Sequence, residues 1–282
     1  MGNNRATLAS ELLNKTLNMI PWGVRGKIKS MPVIASLQRR LVSKFLDGKE
    51  FTHHVNSGPA AGINFRVLLP DDKGIWTGTY ESYFAGRLAS AVRKGTVALD
   101  IGSWHGFFAG VMAAQGAGKI HVFEPLPANI ERIQQLISLN PDKQIVLHAC
   151  AVGNRETEMD LVLMPETSMA KLEESSFQAS DTSDNRLRVR VRSIDTMVFN
   201  GEIESPELIK LDVEGAEMMV LEGAKKTLQM HHPEIFAEIH SSDLLEQCTS
   251  FLATHGYLIE DLDEDPIVAR SKDVFQIRAY VK

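Results

Sequence analysis

Two acidic residues, Asp100 and Glu124, each stand at or near the end of a short apolar run. The first run lies in Val97-Ala-Leu-Asp-Ile-Gly-Ser-Trp-His-Gly106 and leads into a turn bearing Gly102 and Gly106. The second is Lys119-Ile-His-Val-Phe-Glu-Pro125. Carboxylates at the ends of neighbouring strands suit a ligand that carries positive charge and hydroxyls but no phosphate. S-adenosylmethionine is such a ligand, with an ammonium, a sulfonium and two ribose hydroxyls. The competing ligand is a dinucleotide, whose fingerprint is G-x-G-x-x-G after a strand. Here the glycines read G-x-x-x-G. A pyrophosphate needs bare N–H groups at a helix N-terminus and close approach through the glycines, and Asp100 would repel it. Glu124 does not discriminate, because an acid after the second strand grips ribose in either case. A simpler role for Asp100 is to cap the following helix. Against that capping role, the placement of Glu124 downstream favours the ligand-binding reading, with the methyl donor as the ligand.

The elements that must position these residues follow from the pattern of apolar runs. From about residue 80, strand-like runs alternate with helical ones. The strands expected are Thr96–Ile101, Lys119–Phe123, Gln144–Ala149, Glu207–Leu211, Glu234–Ile239, Tyr257–Leu262 and Val274–Val281. Helices are expected at Gly106–Gln115, Pro127–Leu139, Gly215–Met230 and Ser242–His255, with Pro127 suited to a first turn. Such alternation implies an α/β fold, a mostly parallel sheet covered by helices on both faces. Ligands then bind at the carboxyl edge of the strands. One segment breaks the alternation. Glu158–Leu163 and Leu187–Val191 read as an inserted strand pair with a mobile loop, 165–185, between them. In Arg186-Leu-Arg-Val-Arg-Val-Arg192 the arginines share one strand face. That face is either an anion-binding surface or a solvated edge that resists aggregation.

Composition bounds the setting. The 282 residues suffice for one large domain, or a domain with an appendage, and 44% hydrophobic content is ordinary for a folded chain. Cys150 and Cys248 are far apart without metal-ligand spacing and read as buried thiols in a reducing compartment. No segment approaches a membrane span. The N-terminus lacks a secretory signal pattern, so a cytoplasmic location is expected. Net charge is −6, but residues 1–50 alone carry +6. The acidic remainder argues against nucleic acid as a partner. Residues 1–50 read as two helical pieces broken at Pro21-Trp22-Gly23 and Pro32, with apolar stripes at Leu8, Leu12, Leu13, Leu17 and at Ile34, Leu37, Leu41, Phe45. Peripheral contact with a membrane surface is one reading. A helical arm packed on the body or on a second copy in a homo-oligomer is the other. Residues 51–78 look like a strand-bearing connector. The expected division is 1–80, a basic helical appendage and connector, and 81–282, the α/β domain.

Several phrases together resemble the FkbM-type S-adenosylmethionine-dependent methyltransferases. They are Val97-Ala-Leu-Asp-Ile-Gly-Ser103, Phe123-Glu-Pro-Leu-Pro-Ala-Asn129, Ile194-Asp-Thr196, Ile209-Lys-Leu-Asp-Val-Glu-Gly-Ala-Glu217 and Glu238-Ile-His240. The resemblance covers roughly residues 80 to 260, and the five motifs occur in the family's order. The family usually has Ala at the position of Ser103 and a small polar residue near Trp104, so Trp104-His105 is a departure at the methionine end. The resemblance implies a class I methyltransferase, Rossmann-like, with seven strands of which the last is antiparallel. It implies O-methylation of hydroxyls on sugars, polyketides and related small molecules. Asp100, Gly102 and Gly106 would hold the methionine moiety and Glu124 the ribose. Backbone near Cys150, Ala151 and Val152 would face adenine.

Methyl transfer is an in-line displacement on an already activated donor, so the protein mainly orients the acceptor. An alcohol must also lose its proton, to a general base or with help from a metal. In the strand order the resemblance implies, Asp212, Glu238 and His240 end adjacent strands and converge. His240 is the favoured base, because its free pKa is close to working pH. Asp212 with Glu238 could instead bind Mg²⁺ through oxygen ligands. His240 could equally be a hydrogen-bonded residue that closes the strand end. Glu217 suits the helix dipole, while Glu214 stands nearer the site. Thr79-Tyr-Glu81 either closes over the donor or simply starts a helix. The acids from Glu260 to Asp265 lack calcium-loop spacing and read as a solvated turn. The function expected is methyl transfer from S-adenosylmethionine to a hydroxyl of a small-molecule, sugar or glycan-like acceptor. A catalytically silent S-adenosylmethionine-binding module and a nucleotide-dependent oxidoreductase are the alternatives.

Overall fold

A computed structural model describes residues 48, 50–163, 170–172, 186–262 and 274–282. A hairpin of β1 (Glu50–His54) and β2 (Asn64–Leu68) precedes helices α1 (Lys73–Thr77) and α2 (Ser82–Ala91). Strand and helix then alternate through β3 (Val97–Ile101), α3 (Phe107–Ala114), β4 (Lys119–Phe123), α4 (Pro127–Leu139) and β5 (Ile145–His148). Next come β6 (Ala151–Val152), β7 (Thr157–Leu163), β8 (Ala170–Leu172), β9 (Arg186–Arg192) and α5 (Ile194–Phe199). The alternation resumes with β10 (Leu208–Leu211), α6 (Glu217–Gly223), α7 (Lys225–His231), β11 (Glu234–Ile239), α8 (Ser242–Thr254), β12 (Leu258–Asp261) and β13 (Phe275–Tyr280).

Seven strands form the main sheet in the order β12-β13-β11-β10-β3-β4-β5. β3 pairs in parallel with β4 and with β10, and only β13 runs antiparallel to its neighbours. The chain leaves β3 towards β4 and β5, then returns to place β10 on the other side. The strand order therefore reverses between β3 and β10, and the crevice at their carboxyl ends is where such sheets take ligands. All four residues of β10 are buried, as expected for a central strand covered on both faces. One core cluster joins Phe84, Leu88, Phe108, Met112 and Ile133 to the sheet. A second joins Val220, Leu228, Leu244 and Leu252 to Leu99, Ile101 and Ile235. This is the expected α/β class and sheet.

Residues 50–80 share that core. Ile63, Phe65, Val67, Leu69 and Trp76 are buried in the same cluster as Phe84 and Ile120. The Asn140 side chain accepts from Asn64 N–H at 2.9 Å and donates to Asn64 O at 2.9 Å. The expected division at residue 80 does not coincide with a break in packing. The two N-terminal helical pieces, and any membrane or subunit contact through them, lie almost wholly outside the described residues. Among the described residues no helix is long and apolar enough to cross a membrane.

Three sequence expectations change in detail. The inserted pair is present as antiparallel β7–β9, but it belongs to a four-stranded sheet, β6-β9-β7-β8. Most of the loop 165–185 lies outside the described residues. Arg188 is paired with Glu158 and Asp160, and Arg192 with Glu156 and Glu202, so acidic neighbours neutralise much of the arginine face. The helix expected over 215–230 is two helices. The carboxylate of Asp195 accepts from Lys226 N–H at 2.9 Å, from Thr227 N–H at 2.8 Å and from the Thr227 hydroxyl at 2.8 Å. An acid from α5 thus caps a new helix start in the middle of an unbroken apolar period. Finally, Glu260 and Asp261 are strand residues of β12, and Glu260 pairs with Arg87 at 2.6 Å and Arg278 at 3.0 Å. The rest of the expected acidic turn, apart from Leu262, is not described.

Candidate active site at the switch point

At the carboxyl end of β3 the chain turns through Gly102, with φ of 75°. A Cβ there would sit 1.6 Å from the Asp212 carbonyl oxygen, so only glycine lets this turn lie against the end of β10. Asp100 is fully buried and does not face the cavity beside the turn. Its Oδ2 accepts from the Ser103 hydroxyl at 2.7 Å. Lys210 stands opposite it in the β10–β3 register and brings its ammonium to 3.9 Å from Asp100 Oδ1. Burial raises the Asp100 carboxyl above its usual range, against the pull of Lys210 and Ser103. Through Ser103 and Lys210, Asp100 braces the Gly102 turn from beneath. Gly106 is not on the cavity wall either. It starts α3 in the left-handed region, at φ of 77°, backed by Leu136.

Glu124 is 4% exposed and does line the cavity. Its Oε2 accepts from Trp104 N–H at 2.9 Å and its Oε1 from Leu126 N–H at 3.0 Å. Burial pushes its carboxyl up to about 7, although these bonds and Asn129 oppose the rise. Trp104 itself is left-handed, with φ of 50°. Its ring stacks between Tyr80, centroids 5.4 Å apart, and His105, 3.8 Å apart. His105 Nδ1 is held by Asp72 Oδ1 at 2.8 Å. The Trp104-His105 departure thus builds an aromatic stack beside the Gly102 turn.

The cavity at this crevice has a volume of about 320 Å³. One end is walled by Phe123, Leu126, Cys150, Ala151, Val152 and Leu161, an apolar slot beside Glu124. The other end carries Glu81, Asp212, Glu214 and Glu238. Asp212, Glu238 and His240 do converge, as their strand ends imply. Asp212 Oδ2 is 3.2 Å from Lys210 Nζ, and Lys210 also donates to Gly102 O at 3.0 Å. Glu238 Oε2 accepts from Gln276 Nε2 at 2.8 Å.

His240, the favoured base, is enclosed by acids. It is 4% exposed and stands behind the cavity wall, not on it. Its Nδ1 donates to Glu217 Oε1 at 2.8 Å, and Glu217 is fully buried. Its Nε2 faces Asp212, Glu214 and Glu238 at 3.5–3.6 Å. Burial alone would lower the imidazole pKa, but the Glu217 bond and the surrounding carboxylates raise it to about 9. The carboxylates around the ring thus favour its protonated form over what burial alone would set. Burial raises the Glu214 carboxyl to about 7, with Asp212 and Glu238 adding to the rise and His240 opposing it.

Two residues of this site are hidden in the sequence. Lys210 is 2% exposed, lies amid an apolar strand, and ties Asp100, Gly102 and Asp212 together. Its sequence signal is a lysine at a position whose neighbours are all buried. Glu81, weighed only as a helix start or a closing residue, begins α2 with φ of 38° and lies on the cavity wall. Burial and the charges of Glu238 and Asp212 raise its carboxyl.

Known proteins give this site its context. The chain is similar to the hexuronic acid methyltransferase AglP of Haloferax volcanii, 25% identical over 66% of this chain and 75% of that protein. It is also similar to a protein called Methyltransferase 1 from Beauveria bassiana, 29% identical over 37% of this chain and 48% of that one. A solved FkbM methyltransferase from Methylobacillus flagellatus aligns at 16% identity and a TM-score of 0.49, over 90% of this chain. The present chain spans 61% of that one. The model of the methyltransferase FkbM domain matches residues 97–264, a span that includes the Gly102 turn, Glu124 and the converging acids of β10 and β11. The chain belongs to the FkbM methyltransferase family.

Proposed function

We propose that this chain moves the methyl group of S-adenosylmethionine to a hydroxyl of a sugar-like or other small-molecule acceptor. The observation that carries the reading is the two-ended cavity at the β3–β10 switch point. At one end the apolar slot by Ala151 and Val152 suits adenine, Glu124 suits the ribose hydroxyls, and the Gly102 turn suits the methionine end. At the other end the acids face the place where an acceptor would stand. Five acids line the cavity, and no Lys or Arg lines it among the described residues. Such a wall favours a neutral hydroxyl over an anionic group, and it would repel the pyrophosphate of a dinucleotide. The similarity to a hexuronic acid methyltransferase supports a sugar-like acceptor.

In the reaction the acceptor oxygen attacks the methyl carbon in line with the sulfur. The carbon–sulfur bond breaks, S-adenosylhomocysteine leaves, and the hydroxyl proton passes to a base. His240 is not among the residues that line the cavity, whereas the carboxylates of Asp212, Glu214 and Glu238 are. The proton falls instead to the wall carboxylates, of which Glu214 is one. A catalytically silent module would have no use for these converging acids.

The test has two parts. Calorimetry should detect S-adenosylhomocysteine binding and none with NAD or NADP. Incubation with trideuteromethyl donor and a panel of hexoses and hexuronates should then add the label at a hydroxyl. Binding of NAD or NADP in place of S-adenosylhomocysteine would overturn the donor assignment. Label on a carboxylate alone would overturn the acceptor assignment.

A further inference from the structure

We propose that Asp212, Glu238 and His240 form a binding site for one divalent transition-metal ion of the Mn²⁺, Fe²⁺, Co²⁺ or Zn²⁺ type, and that the site disfavours Mg²⁺. Only what the ion would do, to receive an acceptor oxygen, rests on the methyl-transfer reading; its binding does not.

One ligand atom from each of the three residues lies within 4.8 Å of the others. His240 Nε2 stands 3.6 Å from Asp212 Oδ1 and 3.6 Å from Glu238 Oε1, with Glu214 Oε2 at 3.5 Å. These separations exceed the roughly 2.7–3.2 Å of a good N–H···O bond. They match the spacing of two donor atoms about 2.1 Å from one ion at a near-tetrahedral angle, roughly 3.4 Å. Asp212 Oδ1 is shielded from solvent and has no hydrogen-bond partner, although a buried carboxylate oxygen ordinarily has one. It points at the space the ion would take. The His240 ring, 4% exposed, is fixed by Nδ1–H donation to buried Glu217 at 2.8 Å. A carboxylate behind a ligating histidine sets the ring and directs the Nε2 lone pair forward.

Charge and ligand type then narrow the ion. Asp212, Glu214, Glu217 and Glu238 surround a ring that is neutral when it ligates. Nearby Lys210 bonds to Asp212 through the other oxygen, Oδ2, so Oδ1 stays available. Imidazole nitrogen suits first-row transition ions, whereas Mg²⁺ prefers an octahedron of oxygens. The two carboxylates line the cavity and the histidine stands behind it, so open coordination positions would face the acceptor.

The experiment uses the full chain after chelation and dialysis. Mn²⁺, Zn²⁺ and Mg²⁺ are titrated by calorimetry, with and without S-adenosylhomocysteine, and the Mn²⁺ form is examined by pulsed EPR. One Mn²⁺ or Zn²⁺ should bind per chain, at least about 100-fold more tightly than Mg²⁺, with ¹⁴N coupling from a directly bound imidazole. Asp212→Asn should abolish stoichiometric binding, and Glu217→Gln should weaken it about 10- to 100-fold. The ¹⁴N signal on the unmodified chain keeps the test decisive even where a variant folds poorly. Absence of stoichiometric binding, equal affinity for Mg²⁺, or Mn²⁺ bound without nitrogen coupling would each overturn the proposal. If S-adenosylhomocysteine binds while the metal does not, the metal site falls and the donor reading stands. The reverse result removes the donor reading alone.

Discussion

Replacing Gly102 with alanine would put a methyl group 1.6 Å from the Asp212 carbonyl oxygen and 2.7 Å from its carbon. The substitution adds two separate penalties. The first is conformational, because a φ of 75° costs a residue with a Cβ about 1–2 kcal/mol. The second is steric. Reaching ordinary van der Waals separation requires the ends of β3 and β10 to part by roughly 1.5–2 Å. That movement would strain the Asp212 N–H bond to Ile101 O, now 3.0 Å, and the Lys210 bond to Gly102 O, also 3.0 Å. Gly256 provides the comparison, since its φ is 86° but a Cβ there meets nothing within 4 Å. Gly256→Ala should therefore lose only the backbone share, about 1–2 kcal/mol, and leave ligand binding alone. Gly102→Ala should lose about 3–5 kcal/mol. Its S-adenosylhomocysteine affinity should fall by about 100-fold, as expected if two charge-neutral hydrogen bonds of about 1–1.5 kcal/mol each are lost from a displaced turn. Urea unfolding gives the first quantity and calorimetry the second. Equal stability losses in the two variants, with unchanged affinity in Gly102→Ala, would refute the claim that close approach is what demands glycine.

Two further outcomes follow from other parts of the molecule. Because Glu124 is held near 7 in the ligand-free chain and ribose hydroxyls bond its ionised form, donor binding should release a proton below pH 7. Affinity for S-adenosylhomocysteine should then weaken by up to about tenfold per unit as pH falls from 7 towards 5. Calorimetry in two buffers of different ionisation enthalpy reads both effects, and an unchanged profile in Glu124→Gln would exclude this residue as their source. In the ligand-free chain the same raised carboxyl contributes stability that is present below about 4.5 and lost as pH rises through about 7, at most about 3 kcal/mol. Asp195→Ala removes the shared cap of α7 and should lower stability by about 1–2 kcal/mol while S-adenosylhomocysteine affinity stays unchanged. An affinity loss matching the stability loss would mean that α5 and α7 are coupled to the cavity.

The parts of this fold legible in the sequence are those that repeat or lie close together along the chain. The apolar runs of β3, β4, β10 and β11 are short and bounded by turn residues, so their limits are nearly right. Glu124 and the Gly102 turn sit within twenty-two residues of one another in local motifs. What stayed hidden depends on contacts between distant segments. The period over 215–230 is continuous, yet Asp195, thirty-two residues from Thr227, breaks it. Lys210 reads as an exception in a buried strand until the register sets it beside Asp100. His240 shows its residue type in the sequence but not its company. Four nearby acids change what an imidazole can do, and only folding brings them together. The pairing of the arginine strip is hidden because its acidic partners lie elsewhere along the chain, Glu158 and Asp160 on β7, Glu156 just before it and Glu202 after α5.

The reversed direction of β13 has a consequence for how such a site can diversify. Parallel strands deliver to the ligand edge only the residues at which they finish, and those residues are committed to holding turns and helices in register. β13 runs the other way, so it begins at that edge, and its second residue, Gln276, reaches Glu238 at 2.8 Å and Glu81 at 3.5 Å. The end of the cavity that carries Glu81 and Glu238 is thus served by an incoming strand, while the apolar end beside Glu124 is served by outgoing ones. Substitutions around Gln276 would reshape the acid-rich end without disturbing the Gly102 turn. A site built this way keeps its variable part apart from the turns that the parallel strands hold in register.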